Sequence, residues 1–531
     1  MQEREFNLLH EPWIRVLHQD CTVQEVSLLT LFEQAHTYRG LGGELPTQNV
    51  AVLRLLLAVL HAVFARVDMD GAISPINSEE DALERWKALW DAKQFPAELI
   101  TNYLLRYEER FWLFDPERPF YQVPAAENGT AYGTGKLNGA LSESSNKGRL
   151  FPMCSSEVKE TLSYAEAARW LLYVNGFDDT SAKAKQREPK LPSPGVGWLG
   201  KLGLLTAVGK NLFETLLLNF VLLKNGTTLW DREVPVWEKE KINAAMHTEI
   251  ACPNNPSELL TLQSRRLLLE RENQHVVGYA LLGGDFFDKT LSDSEQMTLW
   301  QITSKKNKFP IIIEPKSHDA SRQMWRDFSA LFATSDHNRR PGVVAWLARL
   351  ESEDLLCYKQ LCFQIESVQY GNKNSFITDA FSDSLSLHAD LLTQLGSSWM
   401  VRIQDEVARL DQIAGDVALL AKNLVKAESS SNGNAKANSA KAQFYYRIDM
   451  PFREWLQSIT PDENAFAMDP ICLAWHQIAF NIANRLGKEL VAEAGLQGFT
   501  GRLVKDDKKN SSQLYTAPKV YGWFLASLSK R

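Results

Sequence analysis

The sequence predicts an α+β protein, with a large mixed α/β N-terminal domain over residues 1–370 and a helical bundle over 371–531. Three observations lead there. A chain of 531 residues is long enough for two or more domains with substantial cores. Its earlier part mixes helix-period stretches with short β-type runs, whereas its last third carries long helical repeats. The change falls between residues 366 and 380.

Pro46 precedes residues 47–66, which are apolar on nearly every side and read as a helix. Residues 80–107, rich in Trp and Leu, form a second helical region. Turn signals crowd the stretch from 115 to 150: Asn128-Gly129, Gly133, Gly135, Asn138-Gly139 and Gly148. Ser163 with Glu166 three positions on has the spacing of a capping box and opens a helix over 163–174. Residues 175–203 read as a long loop ahead of another apolar helix near 210–223. Runs at 276–282 and 310–313 suggest small sheets. In the last third, Ile403, Val407, Leu410, Ala414, Val417, Ala421 and Leu424 recur at alternating spacings of four and three, and Trp475, Ile478, Ile482 and Leu486 repeat the theme. Between these helices, residues 428–442 (ESSSNGNAKANSAKA) are low in complexity and read as a mobile loop.

Composition narrows the function classes. Apolar (44%) and charged (23%) contents suit a soluble globular protein, and a net charge of −7 argues against a surface coated in basic residues. Nucleic acid, if bound, should therefore meet local patches or a platform whose charge other subunits supply. Six cysteines (Cys21, Cys154, Cys252, Cys357, Cys362, Cys472) include no CxxC pair, which suits a reducing cytosol better than a disulfide framework or zinc knuckle. The N-terminus is acidic and mixed, unlike a signal peptide. The apolar stretches 51–67 and 204–223 carry Arg54, His61, Arg66, Lys210 and Glu214, and read as buried helices rather than membrane spans. A cytoplasmic protein with no membrane partner is expected.

The search for catalytic chemistry returns weak matches. Gly195-Val-Gly197-Trp-Leu-Gly200 spells GxGxxG, but Leu-Pro-Ser-Pro precedes it and Glu214 comes too early for the ribose carboxylate of a dinucleotide site. The alternative is a glycine loop whose bare backbone can approach something closely. Residues 203–211 (GLLTAVGKN) miss the P-loop spacing, and Asn211 replaces the hydroxyl. His318-Asp319 resembles a phosphohydrolase dipeptide without further ligands at suitable spacing, and Asp178-Asp179 is an acidic pair open to a metal or to water. No GxSxG, HExxH or Cys/His dyad is found. No catalytic residue, metal or cofactor is expected. Two segments are basic: Lys183, Lys185, Arg187, Lys190, Lys201 and Lys210, then Lys305, Lys306, Lys308, Lys316, Arg322 and Arg326. They read either as solvated faces or as two arms of a nucleic-acid surface.

Several segments, in order, resemble the CasA family, the large subunit of the type I-E CRISPR complex Cascade. They are residues 6–16 (FNLLHEPWIRV), 113–122 (LFDPERPFYQ), 137–151 (LNGALSESSNKGRLF), 234–238 (VPVWE), 261–267 (TLQSRRL) and 316–328 (KSHDASRQMWRDF). The resemblance implies an α/β N-terminal domain joined to a C-terminal four-helix bundle, with no catalytic centre. It also implies the partners: double-stranded target DNA, whose protospacer-adjacent motif the family recognises and helps open, crRNA-bearing Cascade subunits, and a separate helicase–nuclease. The family's minor-groove glycine loop falls on Gly195, Val196, Gly197 and Trp198, where Trp198 replaces an expected glycine. Its minor-groove lysine falls near Lys289, and its strand-splitting wedge on Lys373 and Asn374, a turn whose own chemistry suits a solvent-facing position equally well. Its first long loop, with Asn138, Leu141, Asn146, Lys147 and Arg149, would contact the crRNA handle or a neighbouring subunit. A cysteine cluster seen in some relatives is missing. Two other readings stand beside this one: a scaffold of another multi-subunit defence complex that reads no DNA, and a phosphohydrolase using His318 and Asp319.

Overall fold

The computed structural model describes residues 4–137, 160–180, 195–240, 247–303, 312–333, 339–356, 358–429, 432–461, 468–506 and 511–531. The chain divides into two compact units, Met1–Met324 with Ala330–Ser384, and Trp325–Ser329 with Leu385–Arg531. The division falls later than the expected 370/371. The strand Ile377–His388 pairs with Gln360–Tyr370, so hydrogen bonding holds the chain in the first unit beyond that point.

In the first unit the helix Pro46–Phe64 is the central element. Proline at its first turn fixes the entry, where a missing N–H costs nothing. It is long and apolar enough to cross a membrane, yet it is buried along nearly its whole length. Around it pack Tyr164–Phe177, Pro256–Leu260, Ala97–Leu105 and Leu212–Leu218. The capping box at Ser163 is present: Ser163 Oγ accepts from the Glu166 amide while Glu166 accepts from the Ser163 amide. Small antiparallel sheets surround these helices. Arg265–Glu272 and Thr130–Gly133 flank His275–Gly283, Leu204–Val208 and Ile377–His388 flank Gln360–Tyr370, and Leu299–Thr303 pairs with Ile312–Lys316.

Several expected elements change. Residues 80–107 are two helices, Glu79–Ala92 and Ala97–Leu105, because Lys93 turns left-handed (φ 60°) and Pro96 cannot continue the first. The expected loop 175–203 begins later, since Tyr164–Phe177 runs on into it, and Trp198–Lys201 forms a 3-10 turn. The expected helix near 210–223 is only Leu212–Leu218, capped by Asn211; the apolar run before it is the strand Leu204–Val208, indistinguishable by periodicity when buried on both faces.

The second unit is a four-helix bundle of Ser397–Glu428, Asn434–Ser458, Met468–Ala492 and Ala517–Leu528, with the first helix touching the other three. Trp455 and Trp475 stack in its core at 5.1 Å between ring centroids. On Met468–Ala492 the inward stripe is Cys472, Trp475, Ala479, Ala483 and Leu486, so the expected Ile478 instead lies 45% exposed. The loop expected over 428–442 is shorter. Helix resumes at Asn434 after left-handed Gly433, and Ala437 and Ala440 bury their small side chains, which a low-complexity reading discounts. A hairpin, Arg502–Asp506 with Ser511–Tyr515, had no sequence signal strong enough to predict it.

Candidate nucleic-acid interface

Asn175, Gly176 and Phe177 end the helix Tyr164–Phe177, and this end organises the site. The Phe177 carbonyl accepts from Tyr370 Oη at 2.6 Å, and the Asp178 carbonyl accepts from the Gly197 amide at 2.8 Å. Thr180 donates its amide to the Asn374 carbonyl (2.9 Å) and its hydroxyl to the Lys373 carbonyl (2.8 Å). One short stretch of chain thus ties the glycine segment at 195–198 to the turn at 371–374, which sequence separates by some 175 residues.

The glycine segment is held from beneath. Arg265, wholly buried, bonds Asp178 Oδ2 at 2.5 Å and the Gly195 carbonyl at 2.7 Å. Gly195 is left-handed (φ 70°), a conformation glycine adopts without strain. Gly197 is glycine for a packing reason: a Cβ there would lie 2.3 Å from the Gly176 carbonyl oxygen. Within the unit, the space a side chain would take at this residue is filled by the end of a helix. Trp198 and Val196 both bury their side chains, so what this segment offers outward is main chain. Trp198 packs its ring on Phe287 and donates Nε1 to Glu295 at 3.0 Å, while its amide donates to Ser264 Oγ at 3.1 Å. Glu295 is in turn gripped by Arg54 through two 2.9 Å bonds. Burial pushes the Glu295 carboxyl up, but Arg54 and the Trp198 and Met297 donors outweigh it and leave it below the ordinary range.

Lys289 begins a 3-10 turn capped by Asp288 and is exposed. Its ammonium lies 2.9 Å from Glu314 Oε2. Lys201 stands between Lys289 and the glycine segment, its Cε 3.8 Å from where a Cβ on Gly195 would be. Burial, then Arg265 and Lys289, lower its pKa to about 8. Lys373 and Asn374 are exposed and both left-handed, with φ of 54° and 56°.

The expected site residues therefore divide. Lys373, Asn374 and the glycine segment are bonded to the chain just past the helix Tyr164–Phe177, Lys201 lies beside Gly195, and Lys289 is within electrostatic reach of Lys201. Asn138, Leu141, Asn146, Lys147 and Arg149 lie outside the described residues, as do Lys183, Lys185, Arg187, Lys190, Lys305, Lys306 and Lys308. Of the second basic segment, Lys316 ends a strand of the first unit, and Arg326 stacks on Tyr445 at 3.6 Å within the bundle unit. His318 has its Nε2 on the Leu204 carbonyl at 2.8 Å, and Asp319 accepts from the Ser321 amide and hydroxyl, a local turn. Asp178 and Asp179 face Arg265 and Lys136. Among the described residues no group of three or more His, Cys, Asp or Glu is gathered to hold a metal. Arg265, Glu295 and Glu314 were not singled out in the sequence; only the Arg265-Arg266 pair, charged residues inside a strand, offered a signal.

Residues 7–486 match the family model for CRISPR-associated protein Cse1. CRISPR-associated protein CasA/Cse1 of Thermus thermophilus is 30% identical over 332 residues, 61% of this chain and 60% of that relative, so the match spans less than two thirds of the relative's length. The crystal structure of Thermobifida fusca Cse1 superposes with a TM-score of 0.80 at 30% identity, covering 100% of this chain and 98% of that one. A chain of a CRISPR RNA-guided surveillance complex shares the fold, with a TM-score of 0.72 at 17% identity over 99% of this chain and 100% of that one. The chain belongs to the CRISPR-associated Cse1 (CasA) family.

Proposed function

We propose that this chain is the large subunit of a type I-E CRISPR surveillance complex, that it reads the protospacer-adjacent motif in duplex DNA, and that it promotes opening of the duplex for crRNA pairing. It works without a catalytic centre and helps to recruit a helicase–nuclease. The observation that supports the reading is that residues 178–180 tie the glycine segment to the Lys373–Asn374 turn, with Lys201 beside Gly195 and Lys289 within its electrostatic reach. A main-chain turn, a lysine and an exposed tip are the parts a minor-groove reader needs, since that groove offers a degenerate acceptor pattern and a shape rather than a full code. Membership in the family and the place of a similar chain in an RNA-guided complex support the assembly.

The test uses the complex assembled with its crRNA-bearing subunits. Lys289→Ala removes a donor to base-edge acceptors and is expected to cost about 1–3 kcal/mol of affinity for motif-bearing duplex, with crRNA binding intact. Unchanged affinity in this variant and in one lacking the Lys373 and Asn374 side chains would favour a scaffold that reads no DNA.

A further inference from the structure

Glu314 is out of place for a surface that meets phosphates. It lies on the strand Ile312–Lys316, mostly buried, with a side chain only 12% exposed. Both its oxygens are engaged: Oε1 accepts from Gln301 Nε2 at 3.0 Å, and Oε2 lies 2.9 Å from Lys289 Nζ. Gln301 is its direct cross-strand partner, so the carboxylate is fixed by the sheet register and not by chance rotamers. A second carboxylate, Asp288, adjoins Lys289 and is spent on its own turn, accepting from the Thr290 amide and hydroxyl. On the side of Lys289, the part-buried Lys201 feels the positive charge of both Arg265 and Lys289.

A lysine on a flexible four-carbon stem is a point charge that can satisfy any nearby phosphate. Contacts of that kind add affinity without reading sequence. A carboxylate locked beside the ammonium changes both properties: it holds the stem in one place and repels the backbone of any duplex that offers no compensating contact. We propose, resting on the reading of Lys289 as a groove contact, that Glu314 is a positioning residue that sets discrimination between motif-bearing and other duplex DNA. It lowers affinity for all DNA, and lowers it more for DNA in which Lys289 finds no base-edge acceptor.

The test measures binding of the assembled complex, loaded with a crRNA complementary to neither probe, to two duplexes of equal length with and without the motif. Glu314→Gln is expected to raise affinity for the motif-free duplex up to about fivefold, the scale of one surface ion pair, and to shrink the ratio between the duplexes by a similar factor. Gln301→Ala keeps the charge but frees the carboxylate; it should shrink the ratio without raising motif-free affinity, and it serves if Glu314→Gln folds poorly. An unchanged ratio in both variants, while Lys289→Ala still weakens motif binding, would overturn the role of Glu314 alone. If Lys289→Ala has no effect either, the reading beneath it falls too.

Discussion

Replacing Arg54 by Met tests how the interface is tied to the core. Arg54 and Glu295 are 2% and 1% exposed and joined by two 2.9 Å bonds; Glu295 also accepts from Trp198 Nε1 at 3.0 Å and the Met297 amide at 3.1 Å. Methionine fills much of the arginine volume but leaves Glu295 buried without its countercharge, a loss that typically costs about 3–5 kcal/mol. The pH dependence gives the sign. In the natural protein the Glu295 carboxyl lies below its ordinary value, so its stabilisation is present above the unfolded pKa and is lost as pH falls through the folded one. Without Arg54, burial dominates and the folded pKa rises above the unfolded value of about 4.3, so the penalty grows as pH climbs past it. The deficit should be largest near neutrality and shrink towards about pH 4. Arg54→Met with Glu295→Gln should recover much of the loss and abolish this pH dependence. Thermal unfolding across pH reads the stability. Hydrogen exchange at the Gly197 and Trp198 amides, which donate to the Asp178 carbonyl and Ser264, reads the loop. A single-variant deficit below about 1 kcal/mol, or one flat with pH, would refute the argument that this ion pair anchors the glycine segment.

Gly197→Ala should lower the unfolding midpoint, at a cost of about 1–3 kcal/mol, because the new Cβ meets the Gly176 carbonyl; a variant that folds normally and loses only DNA binding would show that DNA, and not the helix end, needs the space. Lys373→Gly with Asn374→Gly removes both tip side chains while suiting their left-handed backbone. It should slow R-loop formation on linear duplex more than on pre-melted targets, since unstacking a base step costs a few kcal/mol that a wedge offsets; equal impairment on both substrates would rule the wedge out. Glu366, 5% exposed with one oxygen lacking a partner among the described residues, is pushed up by burial to about 8. A carboxyl raised in the folded state loses stability as pH rises from its unfolded value to the folded one, so Glu366→Gln should be stabilising near pH 8, by roughly 2–4 kcal/mol, and neutral near pH 4.5. A gain independent of pH in melting experiments would assign the effect to packing.

What the sequence made legible was local or periodic. The capping box at Ser163 needs only two residues three apart, and the bundle helices only an apolar stripe. The interface depends on pairings that no window contains: Arg54 with Glu295 across 241 positions, and Thr180 with Lys373 across 193. Gly197 shows a local signal whose partner lies in another segment. Its glycine does signal a close approach, but the approaching atom is a carbonyl of the same unit. Trp198, read as a departure from a family pattern, becomes intelligible once Glu295 lies beside it: a donor-bearing ring satisfies a buried carboxylate that a glycine there would leave with one bond fewer.

The proposed reading has to be reconciled with a net charge of −7. Non-specific affinity scales with the number of phosphates neutralised and rises steeply with each added cation. In the described part of the site three cations are held by an acidic neighbour or by burial, Lys289 with Glu314, Arg265 with Asp178 and part-buried Lys201, while Lys373 stands exposed at its turn. Cations pinned in this way gain little from phosphates alone. The site's contacts must come from main chain and from side chains fixed in place, which respond to groove shape and base edges. In an assembly where crRNA pairing supplies most of the binding free energy, weak but discriminating protein contact lets the complex leave wrong duplexes quickly. On the proposed reading, cations pinned by neighbouring carboxylates are the physical form that requirement takes.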